Sequence, residues 1–502
     1  MPFFSESADR GFLLVNLSLV CFFLFHTMVS VVANAQQTSG DIFNDGTIIL
    51  DNESLPLTGD STFTGGGEFQ FSNLGDIEIG SVGGPLVNVV NVDNTFSGHG
   101  VIYLSEARFI NQAGGVLNGN SPGEGFFLAR RSGSTTDVIE NQGLILASDG
   151  GIVELGFTHI DNAGGIIRAE DGSDFLSTGG SISGGTLQTT GTGRIVSNTF
   201  GTTLTDLVLD GNLLSLGATI TLGGNLENRG VFDASRNRAD IIIANRDIEL
   251  TGGGVFNLRS QDIVGDRAVD DDQLINVDNT INLSGSTNIT GTVLTNLADG
   301  TLNSFGSSTL LSNQNYGLLT VSQSANVFIE PVETGEFTNS GSISIDGELT
   351  IRDGDAVFDS GSVLNFGSNV NFVFDYYDPR VPPIEEPQFG LLEVGGALSL
   401  LGSLNVDISD DLGINSLDVI DLITFDRETT DLSNITVFSD GDRLFSSDGN
   451  YSFTVNFDLT EPTGRISLTN FIATVPEPNA CILLVMATLA VSIRRTKDAR
   501  QQ

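Results

Sequence analysis

The sequence predicts an all-β protein: a right-handed parallel β-helix with a small C-terminal β cap and a single C-terminal membrane helix. Three observations indicate this class. Asn-x-Gly motifs recur before segments of alternating apolar residues, and apolar clusters return at a nearly constant interval. Gly accounts for 61 of the 502 residues, while charged residues make up only 17%. Helical proteins rarely combine so much Gly with so few helix-favouring charged residues.

The recurring motif is typical of two strands joined by a tight corner. It appears as FNDGTIIL (43–50), ENQGLIL (140–146) and TNSGSISI (338–345), and an apolar residue usually stands two positions before the Asn. Asn and Gly tolerate positive φ, so we expect the corner glycines Gly143, Gly230 and Gly341 to adopt it. The regular return of the motif predicts that Asn residues of successive turns stack into internal ladders, as in cross-β structures.

The interval between apolar clusters sets the length of one turn. Between residues 143 and 209 the clusters centre on Ile145, Ile167, Leu187 and Val208, which gives steps of 22, 20 and 21 residues. A fixed period of this size is typical of a solenoid, whereas a propeller blade needs about 40 residues or more. Each turn of such a solenoid adds about 4.8 Å along its axis.

The sequence also contains a long internal duplication, in addition to this short repeat. NVDNT occurs at 91–95 and at 276–280, and FINQAGGVLN (109–118) resembles LTNLADGTLN (294–303), both at an offset of 185 residues. FTGGGEFQF (63–71) resembles LTGGGVFNL (250–258) at an offset of 187. Because three segments keep their order at nearly one offset, the sequence predicts that an array of turns has been duplicated.

Charge and cysteine content exclude several classes of function. The formal net charge is −42, which opposes the binding of nucleic acid, because phosphate recognition needs a positive field. The two cysteines, Cys21 and Cys481, lie near the two ends of the chain. The region between them therefore has no disulfide framework, thiol nucleophile or Cys-ligated zinc.

Residues 1–35 are expected to form a signal peptide. The segment 13–32 is mostly apolar, and Ala33-Asn34-Ala35 fits a small-x-small cleavage site before Gln36, so Ala33 and Ala35 are the predicted cleavage-site residues. An uncleaved N-terminal membrane anchor is the alternative. Either segment would carry the chain across a membrane.

Four further regions are predicted after the signal peptide. Residues 36–375 form the duplicated solenoid, and residues 376–387 form a linker or an excursion, because four prolines in YYDPRVPPIEEP remove donors that a β-ladder needs. Residues 388–474 form a C-terminal β region that caps the solenoid, since the end of a solenoid must be covered. Residues 475–502 are a separate tail.

Residues with catalytic chemistry are sparse, and we predict no catalytic residue and no metal ligand. His99 and His159 lack neighbours at a metal-ligand spacing. Neighbouring carboxylates occur at 171 and 174, 270–272, and 440 and 442, but a chain this acidic is expected to contain such pairs. Two alternatives remain: a β-helix polysaccharide lyase or glycoside hydrolase that uses a carboxylate pair, and a calcium-stabilised repeat adhesin.

The C-terminal tail combines three parts in a fixed order. Pro476-Glu477-Pro478 precedes an apolar run over 480–493, and Arg494-Arg495 follows it. This arrangement resembles the PEP-CTERM sorting signal of bacterial exported proteins. The resemblance covers only the last 28 residues or so, and implies recognition of the triplet by an exosortase, a membrane transpeptidase-like enzyme. The run would then hold the precursor in the membrane with its basic end inside.

The residues ahead of the tail resemble, in architecture, the β-helix repeats of autotransporter passengers. Together these features predict an exported structural or adhesive β-solenoid that is anchored transiently by its C-terminus. Its final location would be the cell surface or the extracellular matrix. The predicted partners are the exosortase-type enzyme and extracellular polysaccharide, with no nucleic acid and no cofactor.

Overall fold

The computed structural model describes residues 38–473 except for 132–133, 135, 199, 237–239, 244–246, 261, 266–272, 313, 323–324, 332–335, 352–354, 359–361, 367, 374–383, 390, 395–397, 401–402, 407–418, 427–429, 431–440, 446–450 and 461–462. Every regular element in this part of the chain is a β-strand. Pairing joins 47 of these strands into one continuous sheet. The predicted parallel β-solenoid is thereby confirmed, while its right-handedness stays a prediction.

The continuous sheet is folded into three faces, because most strands pair in parallel with the third strand before and the third strand after them. Five long strands cross a corner and belong to two faces: β3 (Ser54–Thr64), β4 (Glu68–Gly80), β6 (Thr95–Ser105), β19 (Thr202–Asp210) and β21 (Ile220–Asn228). The chain visits the first, second and third face in that order and then begins the next turn.

The other strands of the three faces have the following bounds. The first face contains β1 (Thr38–Phe43), β5 (Val87–Asn91), β7 (Ala107–Asn111), β10 (Val138–Asn141), β13 (His159–Asp161), β16 (Ser181–Ser183), β23 (Ile241–Ile243), β26 (Asp262–Gly265), β29 (Ser286–Thr290), β32 (Ser307–Leu311), β35 (Asn326–Glu330), β38 (Glu348–Ile351), β43 (Leu391–Val394) and β46 (Ile420–Asp426). The second face contains β2 (Thr47–Asp51), β8 (Val116–Gly119), β11 (Leu144–Ala147), β14 (Ile166–Ala169), β17 (Thr186–Thr189), β24 (Ile248–Thr251), β27 (Gln273–Asn276), β30 (Val293–Asn296), β33 (Gln314–Asn315), β36 (Glu336–Asn339), β39 (Asp355–Phe358) and β44 (Leu398–Leu400). The third face contains β9 (Gly125–Arg130), β12 (Ile152–Gly156), β15 (Asp174–Thr178), β18 (Arg194–Ser197), β20 (Asn212–Leu216), β22 (Val231–Arg236), β25 (Val255–Arg259), β28 (Thr280–Ser284), β31 (Thr301–Ser304), β34 (Leu318–Val321), β37 (Ser342–Ile345), β40 (Val363–Phe366) and β45 (Ser403–Val406).

The strand register reproduces the predicted length of one turn. Ile145 pairs with Ile167, and Ile167 pairs with Leu187. Leu187 pairs with Leu209 rather than with the predicted Val208. The predicted cluster centre Val208 therefore precedes the buried residue Leu209 by one position. Because side chains alternate between the interior and the surface, this shift of one residue reverses the face.

The interior of the solenoid is filled by apolar side chains from all three faces. The largest fully buried side chains are all phenylalanines, among them Phe63, Phe69 and Phe96. Phe69 stacks on Phe96 with ring centroids 5.0 Å apart, and Phe63 meets both rings edge-on. Buried and outward positions alternate along nearly every strand, so the core forms one continuous column along the axis.

Two ladders of buried asparagines run parallel to this column, as the sequence predicts. In the first, each side-chain amide donates to the Oδ1 of the next turn, with N–O distances of 2.6–2.8 Å, through Asn91, Asn111, Asn141 and Asn162. The second runs through Asn276, Asn296, Asn315 and Asn339, with distances of 2.6–2.9 Å. The amides also donate to corner carbonyls, such as Gly115 O for Asn111, so these buried polar groups are satisfied.

The corner glycines do not adopt the positive φ expected of them. Gly143, Gly230 and Gly341 are absent from the residues with positive φ, so that prediction is wrong. Glycine is needed there for close approach instead. A methyl group on Gly143 would collide with the carbonyl oxygens of Gln112 and Gly115 in the turn below, and one on Gly230 would collide with the backbone of Gly211.

The internal duplication extends to individual hydrogen bonds. Asn44 donates to Asn94 Oδ1 at 3.3 Å, two turns away, and Asn228 donates to Asn279 Oδ1 at 3.1 Å. In both copies a Gly-Gly-Gly corner lies in the intervening turn, and its first two glycines have positive φ. The side chain reaches the second turn because the glycines of the turn between supply no side chain.

The parallel stack continues beyond the predicted linker at 376–387. Strands β41 (Ser368–Val373) and β42 (Ile384–Phe389) form an antiparallel ribbon, so the end of the proline-rich segment lies in a strand, and residues 376–383 lie outside the described residues. Strands β43, β44 and β45 then pair in parallel with β38, β39 and β40. The region predicted to start at 388 thus begins with a further turn of the solenoid.

An antiparallel sheet follows this last turn. Strand β46 pairs in parallel with β43 on one edge and antiparallel with β49 (Thr463–Ala473) on the other. Strand β49 in turn pairs with β48 (Tyr451–Asp458), and β48 pairs with β47 (Arg443–Phe445). The direction of strand pairing therefore reverses at the C-terminal end of the described stack.

Candidate functional site

The residues predicted to direct processing lie outside the described residues. These are Ala33 and Ala35 of the cleavage site and Pro476, Glu477, Pro478, Arg494 and Arg495 of the sorting signal. Within the described part of the chain, no helix is long and apolar enough to span a bilayer.

Each of the two histidines between the predicted terminal segments contacts a polar side chain of a neighbouring turn. His159 Nδ1 is 2.8 Å from Ser181 Oγ in the next turn, and His99 Nε2 is 3.6 Å from Glu124 Oε2. In the described residues no three His, Cys, Asp or Glu side chains come together in an arrangement that could hold a metal ion.

The carboxylate pair at 171 and 174 is engaged in contacts between turns. Asp171 accepts hydrogen bonds from the hydroxyl and the backbone N–H of Thr192, which lower the pKa of its carboxyl group. Asp174 binds Arg194 through two hydrogen bonds, and this contact raises the pKa of the guanidinium. A catalytic acid needs a raised carboxyl pKa, so these contacts favour a structural role. Positions 270–272 and 440 lie outside the described residues.

A shallow groove on the third face is a better candidate for a binding site. Two columns of outward side chains run along this face on strands β22, β25, β28 and β31. The inner column contains Asp233, Asn257, Asn282 and Asn303, which follow one another in register. The second column lies two residues further along each strand. Side chains of both columns line a space of about 360 Å³.

The inner column is a second kind of asparagine ladder, on the surface rather than in the core. Asn303 donates to Asn282 Oδ1 at 3.0 Å, and Asn282 donates to Asn257 Oδ1 at 2.8 Å. Asp233 begins the column and accepts the backbone N–H of Ser235 at 2.9 Å. These bonds fix the orientation of the Asn282 and Asn257 amides.

The second column explains why the surface is concave here. Arg259 pairs in register with Ser284, and Phe305 follows one turn later, held by a hydrogen bond from its N–H to Leu283 O at 2.8 Å. A small serine therefore lies between two large side chains, and the recess opens above it. The Phe305 side chain is 52% exposed, so its ring is accessible at one end of the groove.

Sequence reasoning did not identify this groove, although one signal for it is present. In TLNSF (301–305) Leu302 and Ser304 are buried, so the alternation places Phe305 on the outside. Most phenylalanines fill the core, but Phe43, Phe157 and Phe200 are exposed as well. Exposure alone therefore does not mark a site, and Phe305 is distinguished by its place among the residues that line the groove.

The fold and this groove define a three-faced parallel β-solenoid with a polar, shallow surface recess. Neither the protein-family models nor the curated proteins with which the chain was compared match it.

Proposed function

We propose that this protein is an exported structural or adhesive β-solenoid of the cell surface or the extracellular matrix. The observation that carries the proposal is the unbroken stack of parallel turns, whose apolar core and buried Asn ladders leave three polar faces exposed. Such a body maintains long surfaces without disulfides, since both cysteines lie near the ends of the chain. Repeat solenoids commonly use extended surfaces of this kind for binding.

The terminal segments supply the route in this proposal. Residues 1–35 direct export, and the membrane helix lies over 480–493 with the basic residues Arg494 and Arg495 on the inner side. An exosortase-type enzyme recognises Pro476-Glu477-Pro478 and releases the body. The antiparallel strands β46 to β49 act as the cap that covers the last turn.

A non-enzymatic role fits the groove better than hydrolysis. Among the described residues that line it, Asp233 is the single carboxylate, with Arg259 nearby. The usual glycoside hydrolase mechanism uses two carboxylates across the bond to be cleaved. We therefore propose that the groove holds its ligand without cleaving it.

Cell fractionation tests the proposal. The full chain, with an epitope placed before residue 475, would be expressed in a host that carries the sorting enzyme. A variant that lacks residues 475–502 serves as the control. We expect the parent at the surface or in the matrix in a shortened form, and the variant in the medium. A parent chain that stays in the cytoplasm at full length would contradict the proposal.

A further inference from the structure

We propose that the groove formed by Asp233, Asn257, Arg259, Asn282, Ser284 and Phe305 binds an uncharged oligosaccharide segment of an extracellular polymer. The inference rests on the proposed function, because it names the ligand that the exported body would hold. It depends on three observations: the mixture of polar groups, the exposed ring and the continuous pairing of the strands beneath.

The polar groups of the groove match sugar hydroxyls, which both donate and accept hydrogen bonds. The ladder aligns Asn257 and Asn282 through a bond of 2.8 Å, and among the described residues the Asn257 amide nitrogen has no protein acceptor. Asp233 adds acceptor oxygens, and the Arg259 side chain lines the other column. Groups that are already oriented lose less conformational entropy when a ligand binds.

The ring of Phe305 supplies the apolar contact that polar groups cannot. A pyranose has one face of C–H groups, and an exposed aromatic ring can pack against that face. Phe305 is 52% exposed and lies at the end of the groove, next to the recess over Ser284. The groove therefore offers both a ring for the C–H face of a sugar and polar groups for its hydroxyls.

The negative net charge of the protein favours an uncharged ligand over a polyanion. The chain carries a net charge of −42, so a polyanion would be repelled over most of the surface. Uncharged sugar units meet no such penalty.

The pairing of the strands excludes an added peptide strand. Strand β25 pairs with β22 and β28, and β28 pairs with β25 and β31. Their backbone groups are therefore already used in the sheet, and β-strand addition needs a free edge. The groove lies on the face of the sheet and offers side chains alone.

The test measures binding of the full chain, purified in detergent, to immobilised uncharged hexose oligomers of several linkages, with hexuronate oligomers as acidic probes. Two substitutions at one position separate filling of the recess from loss of a hydrogen bond. Ser284→Ala and Ser284→Tyr both remove the bond from Ser284 Oγ to Leu258 O, but only Ser284→Tyr fills the recess. We expect Ser284→Tyr to abolish binding and Ser284→Ala to change it less than about threefold.

A second pair of variants tests the aromatic contact. Phe305→Ala should weaken binding about tenfold or more. Phe200→Ala, which removes a ring that is 65% exposed and lies outside the groove, should leave it unchanged. Circular dichroism and thermal melting verify that each variant is folded.

Three results would overturn the proposal: no binding of any uncharged oligomer, tighter binding of the acidic oligomers, or equal binding by parent and Ser284→Tyr. None of them affects the fractionation result, so failure of the groove assignment is distinguishable from failure of the proposed function.

Discussion

The side-chain amide of Asn111 donates to Asn141 Oδ1 at 2.8 Å, although 30 residues separate them in the chain. The Asn141 side-chain amide in turn donates to Asn162 Oδ1 at 2.6 Å. All three side chains are fully buried. One residue in the middle of the ladder therefore satisfies polar groups in the turns on either side. Its removal exposes the energetic role of the ladder.

Replacing Asn141 with Ala should destabilise the solenoid by about 2 kcal/mol or more, because Asn111 loses an acceptor and Asn162 loses a donor inside the core, where water cannot replace them. Urea denaturation followed by circular dichroism measures the change. The control is Asn303→Ala in the surface ladder, where water can replace the lost bond and the expected change is about 0.5 kcal/mol. Equal effects of the two substitutions would show that the buried ladder stabilises the fold no more than the surface ladder does.

Substitutions at two glycines of neighbouring corners can distinguish the stability cost of close packing from that of backbone strain. A methyl group on Gly143 would overlap carbonyl oxygens of the turn below, whereas Gly164, with a φ of +84°, has open space where a methyl group would lie. We expect Gly143→Ala to lower the free energy of unfolding by about 3 kcal/mol or more through overlap. Gly164→Ala should lower it by about 1–2 kcal/mol through the left-handed backbone alone. Chemical denaturation of both variants gives the comparison, and the reverse order would show that φ dominates at these corners.

The contact between Asp171 and Thr192 predicts a pH dependence with a definite sign. The Thr192 hydroxyl and backbone N–H lower the pKa of Asp171 from its ordinary value of 3.8. A lowered carboxyl pKa stabilises the folded state fully above the unfolded pKa, and this contribution is lost as the pH falls through the folded pKa. The window therefore lies below about pH 4.

Replacing Thr192 with Val should raise the pKa of Asp171 towards its ordinary value, since the hydroxyl bond is lost and only the backbone bond remains. Titration of the carboxyl group by NMR measures the shift. Asp458 is the internal control, because Thr460 lowers its pKa in the same way and the substitution lies far away in sequence. An unchanged Asp171 pKa, or an equal change at Asp458, would contradict the assignment of the shift to the Thr192 hydroxyl.

The features that could be predicted from the sequence are those that depend only on residues within a single turn. Alternation places Ile145 and Ile167 inside, the Asn-x-Gly corner places Asn141 in the ladder, and both patterns repeat often enough to give the period. The corner glycines were misread because their role depends on a residue of another turn. Gly143 is limited by the carbonyl of Gln112, 31 positions earlier, and no local rule for φ contains that contact.

The groove was missed for the same reason. Its recess exists because Arg259, Ser284 and Phe305 follow one another on three successive turns. Their separations of 25 and 21 residues become adjacent only when the register is known, and the period varies by a few residues from turn to turn. The aromatic residue at an outward position could be found from alternation, but its neighbours could not.

The proposed sorting signal gives a prediction that centres on Glu477. This carboxylate lies between Pro476 and Pro478. Proline fixes its own φ and favours an extended conformation in the residue before it, so a Pro-Glu-Pro triplet disfavours a helix or a sheet interior. In the proposed function, Glu477 is the group that the integral-membrane sorting enzyme recognises.

We expect Glu477→Ala to leave export intact but to retain the full-length precursor in the membrane, because the enzyme no longer recognises it while 480–493 still anchors it. The apolar run is only 14 residues long, about 21 Å as a helix against a hydrocarbon core of about 30 Å, so retention depends on its basic flank. The matched variant Arg494→Ser with Arg495→Ser should therefore weaken retention and release unprocessed chain. Fractionation with an epitope before residue 475 separates the two outcomes. If the Glu477→Ala chain reaches the medium at the size and amount of the parent, the tail acts as an ordinary anchor and the triplet has no role in processing.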